Sequence, residues 1–161
     1  MQNNDVLRRI RYALKINDRS MLELFKLGGL ILDLDTLKNN LKKEEEKGFS
    51  SLSDKNMTAF LDGLIMKNRG AREDISVSPV KKELFNNNLV LRKIKIALEF
   101  REEDILAILK RSEMEISKSE LSALFRQRNH KNYKECGDQL LRNFLVGLTG
   151  YKKANPVSSN S

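Results

Sequence analysis

The chain has 161 residues, with 30 Lys+Arg against 22 Asp+Glu, one Cys, one His and no Trp, for a net charge of +8. Apolar residues make up 40%, enough for the core of one ordinary domain or two very small ones. The lone Cys136 excludes a disulfide framework and any multi-cysteine zinc or iron–sulfur site. No stretch approaches the ~20 apolar residues of a membrane span.

Met1-Gln2-Asn3-Asn4-Asp5 has no apolar run behind it, so no signal peptide is expected and a reduced, cytosolic setting is. In the first segment Val6, Leu7, Ile10, Ala13 and Leu14 form one stripe at helical spacing, with Asn3 or Asn4 as the expected N-cap. A short second helix carries Leu22, Leu24 and Phe25 and stops at Gly28-Gly29. A third starts after Asp33 and buries Leu37 and Leu41. The fourth carries Met57, Phe60, Leu61, Leu64 and Ile65 behind an expected Asp54 cap. Gly63 sits in its middle, where glycine costs ~1 kcal/mol relative to alanine. Close approach of another helix would offset that cost.

Shifting the chain by 84 residues superimposes its halves without a gap. Positions 3–65 against 87–149 give 17 identities in 63 pairs, where chance gives roughly 4 to 6. Val90, Leu91, Ile94, Ala97 and Leu98 repeat the first stripe, with Asn87 or Asn88 as the expected cap. Leu106, Ile108 and Leu109 repeat the second helix. Ser117-Lys118-Ser119-Glu120 has capping-box spacing before Leu121, Leu124 and Phe125. Leu141, Phe144, Leu145 and Leu148 follow Asp138, again an expected cap, with Gly147 in the place of Gly63.

The expected fold is therefore all-α, a tandem duplication of a roughly four-helix unit. Residues 1–67 form the first repeat, 68–86 a linker, 87–149 the second repeat and 150–161 a disordered tail. The linker holds Gly70 and Pro79 and is partly ordered through Leu84 and Phe85. A unit of ~60 residues buries only about 60% of its unfolded surface. The two repeats should thus pack together with pseudo-two-fold symmetry.

Several stretches carry a family resemblance: the repeated Asn-Asn-x-Val-Leu-Arg opening, Lys47-Gly48-Phe49, Phe60-Leu61-Asp62-Gly63-Leu64-Ile65, and the run from His130 to Gln139. With these the chain resembles the YehS-like family of small bacterial proteins, over nearly all of residues 3–149. That family is a duplicated domain of unknown function. The resemblance implies an architecture and a bacterial cytosolic setting, and no activity, cofactor or catalytic residue.

Residues 1–86 are net +3 and residues 87–161 net +5, with no block of five like charges. The sharpest excess lies in Arg126, Arg128, His130, Lys131 and Lys134, with Tyr133 and three amides among them and no acid. Cations neutralise phosphates, amides read base edges and an aromatic stacks on an unpaired base. The first repeat has Lys42-Lys43-Glu44-Glu45-Glu46-Lys47 there, so an anion site would belong to the second repeat alone. The plainer alternative is a solvated loop whose Tyr133 packs like Phe49. Arg8, Arg11, Arg92 and Lys95, opposite the apolar stripes, are the candidate secondary contact.

The leading expectation is a nucleic-acid-binding or regulatory protein. The alternative is a protein–protein adaptor or homodimer, motivated by Tyr12 and Ile96 off the core face. Six residues from His130 to Cys136 do not by themselves bring a thiol to an imidazole, and Leu52 occupies the Cys136 position in the first repeat. A buried, structural Cys136 is expected. The sequence presents no catalytic constellation, metal-ligand spacing, cofactor motif, small-molecule site or membrane-binding face.

Overall fold

Alternation of apolar stripes with capped turns produces eight helices in the computed structural model, which describes residues 1–69 and 84–153. The first repeat holds α1 (Asn3–Leu14), α2 (Asp18–Leu27), α3 (Leu34–Leu41) and α4 (Asp54–Arg69). The second holds α5 (Asn87–Ala97), α6 (Glu102–Arg111), α7 (Lys118–Leu124) and α8 (Asp138–Leu148). The described residues contain no strand. The centre of each predicted stripe is buried, with Leu7, Ile10, Phe25, Leu37, Phe60, Leu91, Ile94, Leu121 and Phe144 in one continuous core, while Leu14, Leu22, Leu41, Leu98, Leu106 and Phe125 are only partly buried against it.

The repeats match down to backbone detail. Lys15 and its counterpart Glu99 both take φ 54°, the left-handed conformation that ends α1 and α5. Gly29 (φ 96°) and Glu113 (φ 62°) do the same after α2 and α6. Asp33 caps α3 by accepting from Thr36 N at 2.8 Å, and Ser117 with Glu120 forms the expected box on α7.

The mid-helix glycines have the predicted reason. A Cβ on Gly63 would lie 1.7 Å from the backbone oxygen of Leu24, and one on Gly147 would lie 2.0 Å from that of Ile108. Helix α4 therefore rests directly on α2, and α8 on α6. Gly28 is equally tight, since its Cβ would fall 1.7 Å from Ala59 O. In the second repeat Ser112 stands in that place, and its hydroxyl donates to Asn143 O at 2.8 Å. One repeat closes the gap with a glycine and the other bridges it with a hydrogen bond.

The repeats join through an exchange of partners. Helix α1 packs on α8, and α4 packs on α5, the reciprocal contacts a pseudo-two-fold axis requires. Ion pairs cross the interface, among them Lys93–Asp62 at 2.6 Å and the Met1 ammonium with Asp138 at 2.7 Å.

Some boundaries and caps differ from expectation. Helix α4 runs to Arg69, past the 67 boundary, and Asn68 Nδ2 donates to Ala97 O at 3.1 Å. Residues 150–153, assigned by sequence to the tail, lie on the body. Tyr151 meets Phe100 edge to face at 5.8 Å and its hydroxyl donates to the buried Asp104 at 2.7 Å. A single aromatic with a polar tip is enough to dock that segment, a signal that its polar surroundings hide. Most of the linker (70–83) and residues 154–161 of the tail lie outside the described residues. The N-cap of α1 is Gln2, and that of α5 is Asn86, whose side chain accepts from Leu89 N at 2.9 Å. Asp54 and Asp138 are the first helical residues, preceded by Ser53 and Gly137.

Candidate nucleic-acid interface

The Asn-Asn doublets do something other than capping. Asn88 is 4% exposed, donates to Leu124 O and Lys134 O at 2.9 Å each, and accepts from Cys136 N at 2.8 Å. Asn87 donates to Cys136 O at 3.0 Å and to Asp138 Oδ1 at 2.8 Å. The two amides thus tie the start of α5 to both ends of the loop between α7 and α8. Asn4 and Asn3 repeat every one of these bonds with Asn40, Ser50, Leu52 and Asp54. Sequence reasoning assigned the doublets to capping. The clue was that a cap needs one amide and both repeats carry two.

This clasp presents residues 126–134 as a shaped loop. Two turns build it, with His130 N on Gln127 O at 2.9 Å and Tyr133 N on His130 O at 3.0 Å. His130 Nδ1 accepts from Asn132 N at 3.0 Å. Tyr133 is half-buried, and its hydroxyl accepts from Asn86 Nδ2 at 3.2 Å, so its ring helps hold the loop. Lys134 pairs with Glu120 at 3.1 Å. The bonds from Ser117 N–H and Lys134 hold the Glu120 carboxyl below its ordinary range. Arg128, His130 and Lys131 are exposed and Arg126 partly so. Among the described residues no carboxylate ion-pairs with Arg126, Arg128 or Lys131.

The secondary candidates are placed differently. Arg8 pairs with Asp5 and donates to Lys42 O at 2.7 Å, closing the end of α3. Arg11 donates to Ile16 O at 3.0 Å and pairs with Asp18 at 2.7 Å, joining α1 to α2. Lys95 Nζ lies 5.3 Å above the ring of Phe125, the residue that precedes the loop. Arg92 is exposed on α5. Arg8 and Arg11 thus serve the helix joints of the first repeat and are not gathered with the loop at 126–134.

Cys136 is buried beneath the same loop at 3% exposure, and burial pushes its thiol up to about 12. His130 stays on the surface, so thiol and imidazole face different environments. Among the described residues no cluster of three or more His, Cys, Asp or Glu can hold a metal ion, and no described helix is long and apolar enough to cross a membrane.

An all-helical duplicated unit with an amide clasp in each copy defines the class. The profile of a family described as "Protein of unknown function (DUF1456)" matches residues 3–70 and 87–153, one match per repeat, and the chain belongs to that family. A relative in Escherichia coli (strain K12), "Uncharacterized protein YehS", is 40% identical over 148 residues, covering 92% of this chain and 94% of the relative. No solved structure matches.

Proposed function

We propose that this protein binds nucleic acid without catalysing a reaction, through the α7–α8 loop of its second repeat. One observation carries this. Residues 126–134 hold four Lys+Arg and no acid, whereas the aligned 42–50 hold three lysines and three glutamates. Both loops are held by the same clasp, so the difference lies in the presented charge. Arg126, Arg128 and Lys131 supply the phosphate contacts, with His130 and the amides between them facing the ligand. Lys134 is engaged with Glu120, and Tyr133 supports the loop. A buried, protonated thiol agrees with a non-catalytic role, since the thiolate is the nucleophile. The net charge and the setting implied by the family suit a cytoplasmic protein with an acidic partner.

The test is fluorescence anisotropy with labelled single- and double-stranded DNA and RNA at rising salt. The wild type should bind at low salt, with log K falling linearly against log salt. R126A/R128A/K131A should lower the slope by about 2 to 3, close to one for each phosphate no longer neutralised. Absence of binding at low salt, or a slope unchanged in the triple variant, would refute the reading.

A further inference from the structure

The internal symmetry is also broken at the C-terminal end of α1, and what fills its twin indicates what the open copy takes. Tyr12 on α1 is 73% exposed. Beside it lies a cleft of about 550 Å³, floored by Ile16 and Leu41, walled by Thr149 and edged by Arg8, Arg11 and Lys15.

The twin of every lining residue lies 84 positions away. Ile16 corresponds to Phe100, Leu41 to Phe125, Thr149 to Ile65 and Tyr12 to Ile96. Phe100 and Ile65 are both 8% exposed, and Ile96 packs against the core. There α4 continues for five residues beyond Leu64, the position at which α8 ends. Its last turn packs along α5, and Asn68 donates to Ala97 O at 3.1 Å, one of the carbonyls a helix end leaves unpaired.

Helix α8 cannot make the same contact. Arg111 binds its last carbonyls, donating to Gly147 O at 2.8 Å and Thr149 O at 2.7 Å. Gly150 turns the chain away at φ 75°, and Tyr151 then docks on Phe100. The first repeat keeps the groove without the helical turn that fills its twin.

We propose that this cleft is a docking groove for the last turns of an amphipathic helix supplied by a partner protein. The helix sets an aliphatic side chain against Ile16 and Leu41, an amide toward Ala13 O, and acidic residues toward Lys15. Charge selects the acidic flank: no acid lines the cleft, Arg8 and Arg11 at its edge are engaged with Asp5 and Asp18, and Lys15 forms no ion pair among the described residues. A second copy fits poorly, because a two-fold contact would set the cations of both copies against each other. An unpaired nucleic-acid base fits less well too, since Arg8 and Arg11 are already ion-paired. The groove does not depend on the loop at 126–134.

The probe is a fluorescein-labelled, lactam-bridged peptide reproducing residues 57–69 with K67E and R69E, titrated with the full chain. It should bind saturably. I16N/L41N/T149N replaces the apolar floor and wall with amides, and should weaken binding at least about tenfold. K15E should weaken the acidic probe and strengthen the same peptide with its native Lys67 and Arg69; it decides the matter alone if the triple variant does not fold. The proposal is overturned by no binding to the wild type, by equal binding to the triple variant, or by a dimer that the triple variant abolishes in light scattering. Displacement of the probe by a single-stranded oligonucleotide in R126A/R128A/K131A would likewise overturn it, assigning the cleft to nucleic acid.

Discussion

Asn88 satisfies three backbone groups at once, at Leu124, Lys134 and Cys136. An apolar residue there leaves those groups in a site only 4% open to water. Each unsatisfied buried group costs about 1–3 kcal/mol. N88A should therefore destabilise the protein by about 3 kcal/mol or more in urea unfolding, and N4A by a comparable amount. A loss below ~1 kcal/mol would show that the clasp is incidental. Cys136, whose N–H Asn88 holds, should resist a thiol reagent at pH 8 in the native state and react at once in denaturant. Rapid native labelling would contradict its burial.

Burial pushes both Cys136 and Tyr151 up to about 12, the latter helped by its bond to Asp104. A raised native pKa means the folded state keeps protons that the unfolded state has lost. The stability these groups add is complete below about pH 9 and disappears as pH rises toward 12. Urea midpoints at pH 8 and pH 11 should differ, and C136A/Y151F should narrow the difference.

Among the elements, the decisive contacts are backbone to backbone. Gly63→Ala raises helix propensity by ~1 kcal/mol. It also places a methyl 1.7 Å from Leu24 O, a backbone atom that cannot swing aside. The clash dominates, and G63A should cost about 3 kcal/mol net by thermal or urea unfolding. A neutral G63A would mean that α2 and α4 separate freely. This contact was legible in the sequence, because a glycine recurring mid-helix in both repeats needs a compensating partner. The Asn doublets were legible as a repeat but not as a clasp, since the loop carbonyls they bind carry no side-chain signature. Tyr151 was missed for a related reason: its partners Phe100 and Asp104 are about 50 residues away in sequence.

For the whole molecule, duplication was plain from the gapless register, whereas the exchange of partners between repeats was not. Periodicity identifies a buried face without saying which helix covers it. Packing α1 on α8 and α4 on α5 lets two marginal units share one core. It also frees their loops to diverge. One carries balancing glutamates and the other carries cations with no acid within the loop, and at the end of α1 and α5 one groove is open and the other filled. A repeated frame thus presents two different surfaces, and under the proposed function loop charge decides which of them meets nucleic acid. Exchanging those charges and following nucleic-acid affinity puts this to the test. R128E/N129E/H130E writes the first repeat's acids into the second and should abolish binding while leaving the urea midpoint within about 0.5 kcal/mol equivalent. E44R/E45N/E46H, made in that background, should restore binding through the first repeat's loop. Full affinity in the first variant, with the fold intact, would contradict this assignment.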